Sequence, residues 1–454
     1  MEPMKKKALF TVAILIIGSI FAVSFNNTQV SAYQSTGIAI DFGERNVTWT
    51  DLDLNEYGDP YDALEEACDY NNYTLTVDGD AVVEINGIAN VGDYSWGLWA
   101  VENSFTEWKK LSLPYGDISG YSVTSWAYCY DDGDVTETPT VGVDQYGRCI
   151  YGYSQANRVV TLSPSLTEII GSLNAVNILV GTDGGYSGCS NYPDSVVTAK
   201  NNGDILTVGD YTTPSFEYIL EANPDIVFCD GSQYSHYEMA EKLRKVSIPA
   251  IVLYAGESID TIKDNIYIIG VAMGYELRAL EVMSMLDDAE IDIIKMISSG
   301  GTVPKDLMVA LSPDKSPWVA GYDTYVDDII NTVMGENVFS SEYGWVQVNS
   351  ETIPSNNPSI IIVITQDYGA TQSEYDLLLD SLPEEWKETD AYRDGNIYVF
   401  CDGLAEMSMR PGPRYAQLME LVTLILHFPS EIPKYIGDEY EDYLTITKHL
   451  GFNS

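Results

Sequence analysis

One phrase is written twice in this chain, and it restricts the fold more than any bulk property does. Tyr211, Glu217, Pro224 and Ile226 recur at identical spacing as Trp345, Glu351, Pro358 and Ile360. In each copy an Asn precedes the Pro (Asn223, Asn357) and an apolar run follows, Ile226-Val227-Phe228 in one and Ile360 to Ile364 in the other. Asn-Pro ends a helix, and a short apolar run after such a breaker reads as a buried strand. Two copies more than a hundred residues apart predict two similar α/β lobes, each offering one aromatic and one carboxylate. Matched aromatics on two lobes suit a molecule held between them.

The rest of the chain arranges itself around these lobes. Residues 1–34 read as a targeting segment: Lys5, Lys6 and Lys7 precede the apolar stretch Ala8 to Phe25, and Val30-Ser31-Ala32 offers a cleavage site. That stretch is also long enough to act as an uncleaved membrane anchor. Residues 35–152 read as a small α+β domain, with a strand at Ile38 to Phe42, a helix at Tyr61 to Tyr70, and further strands ending in Ser122 to Tyr130. A turn at Asp131 to Asp134 and a linker around Tyr146 to Tyr153 close it. Residues 153–257 form the first lobe, beginning with a strand at Val159 to Leu162 and a helix for which Ser165 and Glu168 predict a capping box. A long helix over residues 258–300, broken in pattern only at Gly274, joins it to the second lobe, residues 301–454. Strands alternating with helices predict parallel sheets. A helix over Pro413 to His427 and an acidic, Tyr-rich tail end the chain.

Charge excludes some partners. The chain carries 68 acidic against 23 basic residues, a formal charge of −45. That field repels nucleic acid and anionic membrane surfaces, and solubility in salty surroundings explains it most simply. Export would favour pairing among Cys68, Cys129, Cys149, Cys189, Cys229 and Cys401, with connectivity left open. Asn26, Asn46 and Asn72 head sequons that matter only in a glycosylating host.

Catalytic signatures are missing. No nucleophile elbow, P-loop or dinucleotide fingerprint occurs. The three histidines, His236, His427 and His449, are too scattered in sequence for a triad or a zinc site. His427 reads as a helix C-terminal dipole partner and His236 as a surface loop residue. No metal site, cofactor or enzymatic activity is expected. Candidate binding residues lie instead in loops that follow strands, where α/β folds bind ligands: Tyr186, Tyr211, Trp318, Trp345, Asp402 and Arg410. Flat rings with a few polar groups suit a large, partly apolar ligand. Glu217 and Glu351 each open a helix, where a carboxylate complements the dipole; their duplication points further, to docking against basic residues of a partner.

These motifs carry a resemblance. Arg158-Val-Val-Thr-Leu-Ser-Pro-Ser-Leu-Thr-Glu168, Asn191-Tyr192-Pro193, Asn223-Pro224-Asp225-Ile226-Val227, Gly344-Trp345-Val346-Gln347-Val348 and Arg410-Pro-Gly-Pro-Arg414 together resemble the class III periplasmic binding proteins. Within that class they look most like the cobalamin-binding proteins of ABC importers, over about residues 156–430. Residues 37–132 are similar to the C-terminal β-domain of transcobalamin, through Tyr61 to Cys68, Val83 to Ala89 and Trp96 to Asn103. Trp96 and Trp99 are assigned to that domain's core.

The resemblance implies a two-lobed α/β solute-binding fold with a long inter-lobe helix, exported or anchored at the cell surface, that captures a corrinoid without covalent chemistry. Tyr186, Tyr211, Trp318, Trp345, Asp402 and Arg410 would contact the ligand. Glu217 and Glu351 would meet arginines of the two ABC permease subunits. An iron-siderophore or haem carrier on the same scaffold is the alternative, although residues 153–454 hold only 16 basic residues for an anionic chelate. An adhesion or scaffold protein with no small ligand is the alternative of another class.

Overall fold

The computed structural model describes residues 37–42, 47–101, 108–118, 121, 123–131, 139, 142–143, 149–150, 156–184, 192–246, 248–298 and 305–450. The targeting segment, Tyr186, Cys189, the sequons at Asn26 and Asn46, the turn after Asp131 and most of the linker lie outside the described residues.

The N-terminal unit is a five-stranded sheet in the order Val47–Asp51, Gly37–Asp41, Val123–Tyr130, Tyr94–Val101, Trp108–Lys110. The helix Pro60–Asn71 packs against it. Asp59 caps the helix by accepting from the Tyr61 amide, Pro60 pre-sets the first turn, and Asn72 ends it in the left-handed region. Period-2 alternation puts Ile38, Ile40, Trp96, Leu98 and Trp126 into one apolar core with Leu64 and Ala67 of the helix. Trp96 is therefore a core residue. Trp99 is also buried but faces the opposite side of the sheet, with Ala127 and Cys129.

The first lobe is a five-stranded parallel sheet, ordered Leu206–Thr207, Leu179–Thr182, Val159–Thr161, Ile226–Asp230, Ala250–Leu253. The second is a larger sheet running Trp345–Gln347, Trp318–Ala320, Asp306–Ala310, Ile360–Ile364, Ile397–Phe400, Tyr435–Ile436. Its first two strands run antiparallel, so it is mixed rather than purely parallel as the alternation suggested. Residues 321–344 join these two strands and carry the helix Tyr325–Thr332 and a two-residue strand, Glu336–Asn337, that pairs in parallel with Asp306–Ala310. Tyr435–Ile436, in the stretch read only as a tail, adds a parallel edge strand.

Central strands of both lobes are apolar on both faces, which is why they appear in sequence as unbroken apolar runs. In Ile226–Asp230, Ile226 and Phe228 point to one core while Val227 and Cys229 point to another. In Ile360–Ile364, Ile360, Ile362 and Ile364 join that same first core, and Ile361 and Val363 face a third. One apolar core thus runs continuously from lobe to lobe through the intervening helices.

The connection between the lobes is two helices, not one long one. Ile259–Met273 ends at Gly274 in the left-handed region (φ 79°) and Glu276–Ser298 folds back along it. A Cβ at Gly270 would lie 2.4 Å from that of Ala279, so the pair packs at backbone distance. Gly274 breaks the helix because it supplies positive φ without a steric cost.

Two further expectations change. Ser163, not Ser165, caps the helix Pro164–Ser172, accepting from the Leu166 amide. Glu168 forms no capping box; it is buried and ion-paired. Cys68 and Cys401 are buried free thiols rather than disulfide partners. Burial pushes them up to about 11 and about 12, respectively, and the Cys401 Sγ donates to the Ile436 carbonyl at 3.1 Å. Among the described residues no helix is long and apolar enough to cross a membrane.

Candidate functional site

The second half of the duplicated phrase folds the same way twice, as helix, left-handed Asn and strand, while its aromatic does not. In the first copy Tyr211 stands in a turn before the helix Phe216–Ala222, whose C-cap Asn223 is left-handed (φ 47°), and the strand Ile226–Asp230 follows. In the second, Trp345 opens the strand Trp345–Gln347. A short helix Ile353–Asn356 ends at Asn357, also left-handed (φ 40°), before Ile360–Ile364. Asn tolerates this conformation better than other non-glycine residues, and the Pro that follows cannot continue a helix.

Tyr211 is half-buried and fixed by side chains. Its hydroxyl lies 2.6 Å from Ser232 Oγ and accepts from Gln233 Nε2 at 3.1 Å. His236, read as a surface residue, is fully buried beneath it. The Asp230 amide donates to His236 Nδ1 at 3.0 Å, so Nε2 carries the proton and donates to the Tyr211 carbonyl at 2.7 Å. The two rings meet edge-on, 5.5 Å between centroids. Burial holds the imidazole below its usual range, against the pull of Asp230, so it stays neutral. Burial and the Asp230 carboxylate push the Tyr211 phenol well above its ordinary value. Upstream, Gly209 (φ 112°) is needed because a Cβ there would sit 2.6 Å from the Thr213 carbonyl.

Trp345 is half-buried and packs against the common core. Backbone pairing with Ala320 positions it. The two segments approach closely at Gly321, where a Cβ would meet the Glu342 carbonyl at 2.1 Å. Trp318 pairs with Gln347 in the same antiparallel strand pair and is only 8% exposed, so most of its ring is core.

Arg410 is buried inside the protein. Its guanidinium donates to Glu168 Oε1 and Glu406 Oε2, both at 3.0 Å, and lies over the Tyr192 ring. Arg414 grips the same Glu168 carboxylate through Nε at 3.2 Å and through its terminal nitrogen. Glu168 belongs to the first lobe and both arginines follow the last long strand of the second, so this is an ion cluster across the seam. The sequence reading missed Glu168 because a Ser-x-x-Glu spacing is the ordinary mark of a cap.

Asp402 is exposed at the end of Ile397–Phe400, with φ 49°. Partial desolvation, then the neighbouring Asp438 carboxylate, raises its carboxyl. Glu217 and Glu351 are both exposed, each in the first turn after its aromatic. Tyr186 lies outside the described residues; of the other candidates Tyr211 and Trp345 are half-buried, Asp402 is exposed, and Trp318 and Arg410 are buried. His427 Nε2 pairs with the Val333 carbonyl at 2.7 Å, at the end of the helix Tyr325–Thr332. Among the described residues no group of three or more His, Cys, Asp or Glu is arranged to hold a metal ion.

The family profile described as "Periplasmic binding protein" matches residues 159–402, both lobes and the helices between them. The chain belongs to the periplasmic binding protein family. A curated relative is an uncharacterized ABC transporter substrate-binding lipoprotein, YvrC, of Bacillus subtilis. It is 24% identical over 271 residues, 59% of this chain and 78% of the relative. Among solved structures, a possible iron-binding (periplasmic solute-binding) protein from Staphylococcus epidermidis superposes with a TM-score of 0.50. It shares 21% identity and spans 60% of this chain and all of that one. CeuE of Helicobacter pylori, solved as a Ni-His complex, gives 0.50 at 16% identity, over 64% of this chain and 89% of its own. These likenesses show the fold of the two lobes. The N-terminal unit of this periplasmic binding protein precedes the matched region.

Proposed function

We propose that this chain is the extracytoplasmic solute-binding protein of an ABC importer and that it carries a corrinoid between its lobes. One observation supports this above the rest: the duplicated phrase sets one half-buried aromatic, Tyr211 or Trp345, at the same sequence distance before the helix–Asn–strand unit of each lobe. Two such rings suit a broad, partly apolar ligand held by stacking and dispersion. The curated relative is a substrate-binding lipoprotein of an ABC transporter, which fits delivery to a permease. The corrinoid assignment rests on the sequence resemblance of the lobes to cobalamin-binding proteins and of residues 37–132 to the transcobalamin β-domain. In this reading Tyr186, Tyr211 and Trp345 supply the faces. Asp402 supplies a polar edge, while Trp318 and Arg410 support the site largely from behind. Glu217 and Glu351 dock to the two permease subunits, and residues 1–34 direct export or anchor the chain.

Absorbance and calorimetric titration of the purified protein with cobalamin, cobinamide, haem and a ferric siderophore tests the ligand. Absence of corrinoid binding at micromolar concentration sinks the assignment. In the Tyr211→Ala/Trp345→Ala double variant, affinity should fall by roughly a hundredfold, since each ring covers much of the ligand's apolar surface. Glu217→Ala/Glu351→Ala should leave that affinity alone and abolish transport in reconstituted vesicles. Unimpaired uptake would remove the docking role.

A further inference from the structure

Stacking leaves a polar cluster at the seam unused. The first lobe contributes Asp230, at the end of Ile226–Asp230, then Gln233, and Glu257 from the loop before Ile259–Met273. The second contributes Asp323, held at φ 64°, and Tyr343, whose hydroxyl donates to Asp323. The groups are close enough to act on one another: Asp323 and Asp230 both bear on Glu257, and Glu257 bears on Tyr343. Tyr211 ties this cluster to the stacking face, with its hydroxyl 3.5 Å from Asp230 Oδ2.

Two acceptors here are without a donor. Gln233 is 2% exposed; its Nε2 is spent on Tyr211 and Ser232, and its Oε1 has no partner. Glu257 Oε2 is inaccessible and equally unpartnered. Buried acceptors are almost always satisfied, so an orphan in a native structure calls for an explanation. A bound ligand that brings N–H groups supplies one. The charged groups acting on Glu257 are both carboxylates, and a third anion among them would be repelled.

We propose that the seam selects ligands by the chemistry of their rim, accepting one fringed with neutral amides or cationic N–H donors and rejecting one edged with carboxylates or catecholates. Gln233 Oε1 and Glu257 Oε2 receive the donors; Asp230 and Asp323 exclude anions. The proposal rests on the inter-lobe reading above and extends it from the faces of the ligand to its edge.

The test compares cyanocobalamin, whose ring is fringed with amides, with its monocarboxylic acid derivatives, by calorimetry on the full chain. The wild type should bind the amide form at least about tenfold more tightly, since like charges in a partly dry seam repel. Glu257→Gln/Asp323→Asn should shrink that ratio to about threefold or less, because two of the three carboxylates lose their charge, leaving Asp230 alone, while side-chain volume is kept. If the double variant melts early, the ratio is read on Asp323→Asn alone, at an exposed position. Equal wild-type affinities, or a ratio unmoved in the variants, overturn the proposal. If no corrinoid binds, the corrinoid reading fails by itself. The rim proposal is then read with cationic ferrioxamine B against anionic ferric enterobactin. Preference for the cation sustains it, while preference for the anion, or binding of neither, overturns it.

Discussion

In the first lobe the aromatic of the duplicated phrase, Tyr211, is gripped by side chains, whereas its counterpart Trp345 is set by backbone pairing between antiparallel strands. Ser232, Gln233 and His236 converge on Tyr211; Trp345 takes its place from the register with Ala320 and the close approach at Gly321. A duplicated pattern therefore guarantees the helix, the cap and the strand, but not the means by which the ring is held. A phenol has a hydroxyl that a polar pocket can hold, while an indole face is more simply placed by the strand that carries it.

The largest expected effect breaks the bond between the two regions. Glu168→Ala leaves Arg410 and Arg414 buried without their shared anion and should cost about 3–5 kcal/mol, measured by urea unfolding. A loss below about 1 kcal/mol would mean that water replaces the carboxylate. Next, His236→Phe should cost about 1–3 kcal/mol, since the Asp230 amide and the Tyr211 carbonyl both lose a partner. It should also weaken ligand binding through Tyr211 alone. The sign with pH is fixed: the folded imidazole is held below its unfolded value, so the unfolded state binds more protons on acidification. Stability at this site is therefore intact above about pH 6.5 and lost as pH falls below it. His236→Phe should flatten that part of the pH–melting profile, and identical profiles would contradict the assignment. The smallest effect probes the symmetry itself: Asn223→Ala should cost about 1 kcal/mol and Asn223→Gly close to nothing. Asn357→Gly should still cost about 1 kcal/mol, because the Asn357 side chain donates to Asp390 Oδ2 at 2.8 Å and accepts from the Asp390 amide at 3.0 Å. Equal costs of the two glycine replacements, read by urea unfolding, would show that the Asp390 bonds contribute nothing net.

Much of this was legible in the chain. The apolar runs at Ile226, Ile360 and Ile397 are strands because both their faces are buried, and burial on both faces needs no partner to be read. The left-handed caps follow from Asn-Pro. The antiparallel strands Trp318–Ala320 and Trp345–Gln347 are not legible because three residues are too few to show a period. The inter-lobe connection was read as one helix because apolar spacing on each side of Gly274 is the same whether the chain continues or folds back. The sequence marks the end of the chain only as an acidic, Tyr-rich tail, yet Glu420 of the preceding helix, fully buried, accepts from the amides of Thr445, Ile446 and Thr447 and from two of their hydroxyls. Nothing local to Glu420 announces donors that lie more than twenty residues away.

By itself the sequence determined what depends on neighbours along the chain: two α/β lobes, the duplicated aromatic and carboxylate, the caps, and the absence of catalytic motifs. Only the tertiary structure decided which polar groups meet. Glu168 became an inter-lobe anion rather than a cap, His236 a buried strut rather than a surface residue, and Arg410 a partner of Glu168 rather than a free cation. Periodicity and capping are short-range and leave marks in sequence. A buried charge is tolerable only where its counter-charge lies, and here that partner is about 240 residues distant.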